Sequence, residues 1–598
     1  MATTPIKKGG LVTFVIKVGG NAITDGLRVL SVNIEKRVNR IPIARIVILD
    51  GDAATGKFSA SSSDTFVPGG QISIEAGYDT NNTVIFQGII TGQSLRLDTH
   101  SSSTLEVECR DAAVKMIVGR KCLSFSQQKD SDIISSVIGT YSGLTAKVTA
   151  TTTTWPEQVQ YYVTDWDFVL ARAETNGMIV TALNGTVSVF PPGANTTSVL
   201  TATYGSNLLG FSADLNAVNQ LGSVTASSWD YTGQAVTSGQ ASDSYAGPGN
   251  LSSETLSSVI GLSAYQLQTT APLQDADLSD WSQAQMVKSS YSKIRGEARF
   301  QGTALPDPGS YITLQGLGDR FNGDYLVSGV THDISNGNWI TEVTVGLSPV
   351  WFIEEPDVLS PPASGLLPGA RGLFNGTVKQ MYQDPDTQYR VLVTVPMFDQ
   401  NGAGIWARLA NFYSTAGAGA FFLPEVGDEV VLGFLNEDPR YPVILGSLYS
   451  NSTNQPYTGL APDQQNTIKA IASKSGILIK FDDQNKVLTI ITPAKNQVIL
   501  SDQDNQITIQ DDNQNSIVMS NSGITIKSGT NINIQATQNI SITGDQGITA
   551  SSSGGDVAVS GINVSETAQA QYSAAGNATA QINGGAELTM KAAMVMIN

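Results

Sequence analysis

Cysteine and histidine are scarce in this 598-residue sequence, with two of each. Cys109 and Cys122 cannot build a disulfide framework or a thiolate zinc site, and two free thiols in a reducing compartment are the expected state. His100 and His332 lie far apart, with no His-Glu-x-x-His or paired-ligand spacing around either, so no metal centre is expected. Long apolar runs are also missing. No stretch approaches the about 18 residues a membrane helix needs, and the N-terminus MATTPIKKGGLVTFVIKVGG lacks the apolar core of a signal peptide. Synthesis in the cytoplasm without a signal peptide is expected. Basic charge is short too: 34 Lys and Arg against 52 Asp and Glu give a net charge of −18. That balance disfavours partners such as nucleic acid or an anionic membrane, which need clustered cations, and serves solubility instead.

What remains is a chain with 41% hydrophobic residues, 58 glycines and only 14% charged residues, a profile for β-rich, turn-rich architecture. Length alone suggests three or four domains. Residues 1–355 carry alternating runs such as LVTFVIKV (11–18), ARIVIL (44–49), QISIEAGY (71–78) and TVIFQGIITG (83–92), which read as strands. Within them, 131–143 and 165–177 read as short amphipathic helices, the second capped by Thr164 or Asp165 and stopped by Asn176-Gly177. Pro-rich EEPDVLSPPASGLLPG (354–369) reads as a linker, placed at 356–370. Residues 371–450 then hold five short strands with Gly, Pro and Asp turns, suiting a small closed barrel of the OB type. A second linker is expected at 451–470.

From 471 to 598 the composition changes: after Phe481 the only aromatic is Tyr572, and Arg, Cys, Trp and His are gone. Apolar pairs recur every eight residues at Ile524/Ile526, Ile532/Ile534 and Ile540/Ile542, and Ile548 opens a fourth. A fixed period of apolar-x-apolar triplets is the mark of a solenoid. Two solenoids fit: a single-chain β-helix and a prism of three chains, and the period does not separate them.

The barrel segments GTVKQMYQDPDTQYRVLVTVP (376–396), IWARLA (405–410), AGAGAFFLPEVGDEVVLGF (416–434) and DPRYPVILGSLYS (438–450) resemble the OB-fold domain of VgrG-type spike proteins of contractile injection systems. Its motif residues here are Trp406, Pro424, Gly427, Asp428 and Gly446. Upstream, 66–92, 161–178 and 295–334 resemble the baseplate-hub portion of that family, and 473–483 with the octads resembles its needle. The resemblance implies a mainly β protein: β-barrel hub domains with small α insertions, an OB barrel, and a C-terminal intertwined trimeric β-helix. It selects the three-chain prism, with the needle isoleucines facing their counterparts in two other copies. It further implies a homotrimer that caps an inner tube, adapts threefold to sixfold symmetry and punctures a target envelope on sheath contraction. Implied partners are the inner tube protein, baseplate components, possible effector cargo and transient contact with a target membrane. A PAAR-repeat protein would dock on the apolar end at Met594, Met596 and Ile597. The run NRIPIARIVILDGDAA (39–54) is more similar to spikes of free phage-tail-like particles than to cell-anchored type VI secretion spikes, so extracellular release is expected.

Enzyme signals fail one by one. GDAATGKF (51–58) has phosphate-loop spacing, but Phe58 stands where Ser or Thr must ligate magnesium, so a surface turn is expected. The pairs Asp384/Asp386, Glu354/Glu355 and Asp482/Asp483 sit in turn-rich stretches where solvated carboxylates are the default. No folded insertion fits in 451–470 and nothing follows MVMIN, which disfavours an enzyme-bearing spike. No catalytic residue and no cofactor is expected. A receptor-binding fibre is the remaining alternative, and one Tyr with few Lys argues against it. Trp406, Phe421 and Phe422 are assigned to barrel core and subunit packing rather than ligand stacking.

Overall fold

The computed structural model describes the chain except residues 1–9, 25, 99–102, 231, 243–244, 356–357, 399–401, 451–453, 458–463 and 598. It divides into two units, Met1–Ser447 and Leu448–Asn598.

Alternation of apolar and polar residues makes the first unit mostly sheet. β1 (Val12–Val18), β2 (Arg28–Arg37), β3 (Ile43–Leu49), β4 (Gln71–Tyr78), β5 (Asn81–Arg96) and β6 (Thr104–Arg110) come first. β7 (Leu208–Leu215), β8 (Ile294–Gln301), β9 (Gly323–Ser335) and β10 (Asn338–Val345) join them in a thirteen-stranded sheet, in which these ten strands follow the order β7-β8-β10-β9-β2-β3-β6-β5-β4-β1. One continuous sheet runs through this region, around two apolar clusters. One holds Ile34, Ile46, Ile74 and Phe86; the other holds Phe300, Ile312, Tyr325 and Val343. Successive side chains point to opposite faces, so the same strands present Glu35, Arg45, Glu106 and Glu342 on the other side.

Helices α1 (Asp130–Gly139) and α2 (Asp165–Thr175) pack over a third cluster that includes Ile133, Ile134, Val169 and Leu170. α2 begins where its cap was expected: the Thr164 hydroxyl accepts the Asp167 N–H at 3.1 Å. It ends at Asn176, and Gly177 turns the chain at φ +65°. A third helix, α3 (Asp275–Tyr291), lies on a small sheet formed by Ser223–Asp230, Ala235–Ser242 and Tyr265–Thr269.

The stretch taken as a first linker is pinned down. Phe352 and Val358 are buried in the α1/α2 cluster and Ala363 is buried beside the barrel. The Phe352 N–H donates to Glu174 Oε2 at 2.7 Å, and Trp351 Nε1 donates to Gln285 at 2.6 Å. Apolar side chains outweigh the prolines in this strap: Pro361 is extended and Pro362 opens a short 3-10 turn whose Ala363 is buried.

The barrel then closes as β11 (Phe374–Gln380), β12 (Val391–Thr394), β13 (Ile405–Leu409), β14 (Glu429–Phe434) and β15 (Pro442–Ser447), ordered β11-β12-β13-β15-β14. Its core is Val378, Val391, Val393, Ala407, Val430, Leu432 and Ile444.

In the second unit, seven five-residue strands form an antiparallel meander in sequence order. They are β16 (Ile468–Ala472), β17 (Leu478–Asp482), β18 (Val487–Ile491), β19 (Gln497–Ser501), β20 (Gln506–Gln510), β21 (Ser516–Ser520) and β22 (Gly523–Lys527). β16 begins inside the expected second linker, most of whose remainder lies outside the described residues. The needle region is thus two structures. Residues 468–527 pair within the chain as hairpins, not as octads stepping round an axis. Among the described residues 528–597 no strand forms, and all from 529 onward are exposed.

Candidate functional site

The meander gathers apolar side chains on one face. Cross-strand partners run Ile471–Ile479–Ile490–Val498–Ile509–Ile517–Ile526, one residue from each strand. A second row two residues away runs Phe481–Leu488–Leu500–Ile507–Met519–Ile524. Strand spacing of ~4.8 Å makes each full row roughly 29 Å long. The central row of the opposite face is mixed, running Lys480–Thr489–Ile499–Thr508–Val518–Thr525.

Among the described residues, none covers the apolar face. Ile509 is 43% exposed, Ile526 56% and Ile524 68%. Ile490, Val498, Ile509, Ile517, Ile526 and Ile532 line an open groove of about 690 Å³ on it. A flat sheet with two unshielded aliphatic rows is a surface built to be covered.

Turn chemistry sets that register. Lys486, Lys495, Asn505 and Gln514 take φ of 54°, 65°, 48° and 66°, one in each of four successive hairpins. Neighbouring side chains hold the loops: Asp482 accepts the Asn485 N–H at 3.0 Å, Asp511 accepts the Asn515 N–H at 2.8 Å, and the Ser501 hydroxyl accepts the Asp504 N–H at 3.1 Å. Because side-chain period in a strand is two, a one-residue slip would turn a strand's contribution to both rows to the opposite face.

The expected needle-core residues fall on both sides of the boundary at 527. Ile524 and Ile526 lie in β22 and end the two rows. Ile532, Ile534, Ile540, Ile542 and Ile548 continue the eight-residue beat, all exposed and in no strand. Met594, Met596 and Ile597, expected as a docking end, are exposed as well.

In the barrel, Pro424 is buried and Gly427 takes φ +94°, which a side chain would strain. The Asp428 carboxylate accepts the Glu425 N–H at 2.9 Å, while Gly427 N–H and Val378 N–H tie this turn to β11. Gly446 faces Val431 across β14 and β15. Trp406 is not part of the barrel core: Ala407 points inward, and Trp406 lies on the outer face with the Arg390 guanidinium 6.0 Å from its ring. Phe421 and Phe422 are exposed, so neither is core.

The groups considered for chemistry are held in structural pairs. Arg390 forks Asp384 and reaches Asp386, and Arg390 beside Asp384 holds that carboxyl well below the usual range. Glu355 pairs with Arg40 at 3.0 Å, and Lys469 pairs with Asp483. His332 is fully buried, its Nδ1 3.1 Å from the Thr341 hydroxyl; burial, then nearby Lys36, pushes its pKa well down. His100 lies outside the described residues. Cys109 is buried, with its thiol pushed up to about 12 by burial and then by Glu108, whereas Cys122 is exposed. The 51–58 stretch is a surface turn closed by a bridge between Asp52 and Lys57. Among the described residues no cluster of three metal-ligating side chains forms, and no helix is long and apolar enough to cross a membrane.

Two family models match the chain: the Alg8 N-terminal domain over residues 8–336, and the type VI secretion system/phage-baseplate injector OB domain over 374–449. Among curated proteins, the type VI secretion system spike protein VgrG1b of Pseudomonas aeruginosa is 24% identical over 224 residues, 35% of this chain and 30% of that protein. VgrG1a of the same organism is 23% identical over 224 residues, 35% of this chain and 34% of that protein. The matched region thus spans about a third of the length of these relatives. Among solved structures, the 43 kDa tail protein of prophage MuSo2 from Shewanella oneidensis aligns at a TM-score of 0.44 with 12% identity, covering 56% of this chain and 98% of that one. An E. coli component of the type VI secretion system aligns at 0.39 with 13% identity, covering 72% and 99%.

Proposed function

Because this chain belongs to the Alg8 N-terminal domain family and is of the VgrG spike type, we propose that it is the central spike of a contractile injection machine, acting as a homotrimer. Three copies enclose the aliphatic rows of the meander along a shared axis, and the octads after residue 527 pair between copies. The single observation that carries this reading is the pair of apolar rows running from Ile471 to Ile526, left uncovered in a sheet whose five inner strands are each paired on both sides. A monomeric protein has no use for such a face, and a needle does: closing it removes apolar surface from water and leaves no open sheet edge along the shaft.

The work is mechanical and comes from sheath contraction. The hub caps the inner tube and meets its sixfold symmetry with two sheet halves per copy. The needle leads through a target envelope without catalysis, a PAAR-repeat protein seats on Met594, Met596 and Ile597, and effector cargo can ride on the assembly. The particle is assembled in the cytoplasm and released.

Sedimentation velocity on the purified full chain tests the trimer, and negative-stain imaging of particles with and without residues 477–598 tests the spike. The expected outcome is a trimer, and particles that assemble but no longer puncture when the segment is deleted. A stable, fully folded monomer, or full delivery by truncated particles, refutes the reading.

A further inference from the structure

The outer face of β12 and β13 carries a side-chain arrangement that lies outside the barrel core. These are the second and third strands of an OB barrel, the face with which such barrels take oligonucleotides and oligosaccharides. Trp406 lies there half-buried, opposite Leu392. Behind it stands Arg390, its guanidinium 6.0 Å from the indole and fixed by Asp384 at 2.6 Å and Asp386 at 2.5 Å. Fixing that cation costs the ring its freedom and leaves an aromatic plane in one orientation. Two residues further along β13, on the same face, Arg408 is exposed.

Arg408 differs from every other arginine of the barrel. Arg371 pairs with Glu437, Arg390 with Asp384 and Asp386, and Arg440 with Asp438. Arg408 has no ion pair or hydrogen bond among the described residues. An aromatic plane with one free guanidinium beside it fits a sugar ring that stacks by its C–H face and carries a carboxylate, on the ring or on a peptide substituent of it, within reach of the fork. Nucleic acid fits worse, because a phosphate chain needs several cations and the barrel region 371–450 has five basic against eight acidic side chains.

We propose that Trp406, Arg390 and Arg408 form a binding face for a carboxylate-bearing amino-sugar polymer. Trp406 stacks on the ring, Arg408 takes the carboxylate, and Arg390 positions the indole. This face is separate from the meander rows, so it can fail while the trimer stands.

The test is co-sedimentation of the full chain with purified peptidoglycan sacculi, with chitin as the neutral polymer of the same ring type and single-stranded oligothymidylate as the anionic control. The chain is expected to pellet with sacculi. Trp406→Ala lowers binding to both polymers about tenfold or more. Arg408→Gln lowers binding to sacculi about tenfold and leaves chitin binding unchanged. Trp406→Phe, which keeps a ring, retains most of it and guards against misfolding of the alanine variant, with sedimentation velocity reporting the trimer in each case. No pelleting with sacculi, equal pelleting by Arg408→Gln, or preference for oligothymidylate overturns the proposal. So does protection of Trp406 from hydroxyl-radical oxidation in the unliganded assembly, which would mean that another copy covers the face.

Discussion

Replacing Ile524 and Ile526 together by serine probes the end of both rows at the point where pairing within the chain stops. Full burial of an isoleucine is worth about 1.5–3 kcal/mol. Their side chains are 68% and 56% exposed in the single chain, so more than half of that gain is available only from other copies. Each uncovered portion is worth about 1.5 kcal/mol, and six such side chains in a trimer approach ~9 kcal/mol. At ~1.4 kcal/mol per factor of ten, the association constant falls by up to about a million-fold. Mass photometry or sedimentation velocity across a concentration series reads this directly. The matched control is Thr525→Ser, which alters the opposite face and leaves association unchanged. The single chain should meanwhile keep its β-sheet content, because the β21–β22 ladder is backbone pairing. If the double variant trimerises as tightly as the parent, these rows are not the shared core.

Two further predictions concern the hub. Lys288→Ala leaves Glu174 buried without its cation and is expected to destabilise the first unit by about 3–5 kcal/mol. Calorimetry and limited proteolysis across 348–358 check this, since Glu174 also holds the Phe352 N–H and its loss frees the strap. Acid acts on Asp130: burial alone would raise its pKa, but the Arg172 fork at 2.8 Å, with Asn176 and Trp155, holds it below the ordinary range. That pair contributes stability fully above about pH 4, and the contribution disappears as pH falls further toward the depressed value. Thermal midpoints of the parent should therefore drop below pH 4 more steeply than those of Asp130→Asn, and equal slopes would refute the assignment.

Much of this was legible where periodicity and turn chemistry agreed. QISIEAGY is a strand from Gln71 to Tyr78, and the Thr164 cap and Gly177 stop bracket α2. The five barrel strands likewise follow their alternating runs. The strap was hidden because prolines were weighed above Val358, whose burial depends on helices distant in sequence. Trp406 was misplaced for a simpler reason: IWARL alternates, and only the partner strands decide which parity faces inward. The meander had a signal that the octad beat obscured. DDQNK, TPAKN, SDQDN and DDNQN recur at nine- or ten-residue spacing before Ile517, each a tight polar turn between apolar runs, and that pattern means hairpins. The bare end of Arg408 left no mark in sequence, since an unpaired cation is defined by what does not surround it.

The boundary near residue 527 separates two ways of satisfying the same backbone. Upstream, each strand bonds to its sequence neighbour, so the sheet exists before any partner arrives and its contacts are local. Downstream, the described residues carry isoleucines in step but form no strand, and on the proposed trimer their N–H and C=O groups are laddered between copies. A chain in this state carries an aggregation hazard, because an exposed apolar face pairs with any similar surface. Placing the prefolded meander next to the unpaired octads answers that hazard. On the proposed trimer, three meanders that meet through register-fixed rows deliver the octads already aligned and in high effective concentration, with pairing proceeding outward from residue 528. The order matters: octads that had to find one another first would have no register but their eight-residue beat, which repeats and therefore permits slips of a whole step.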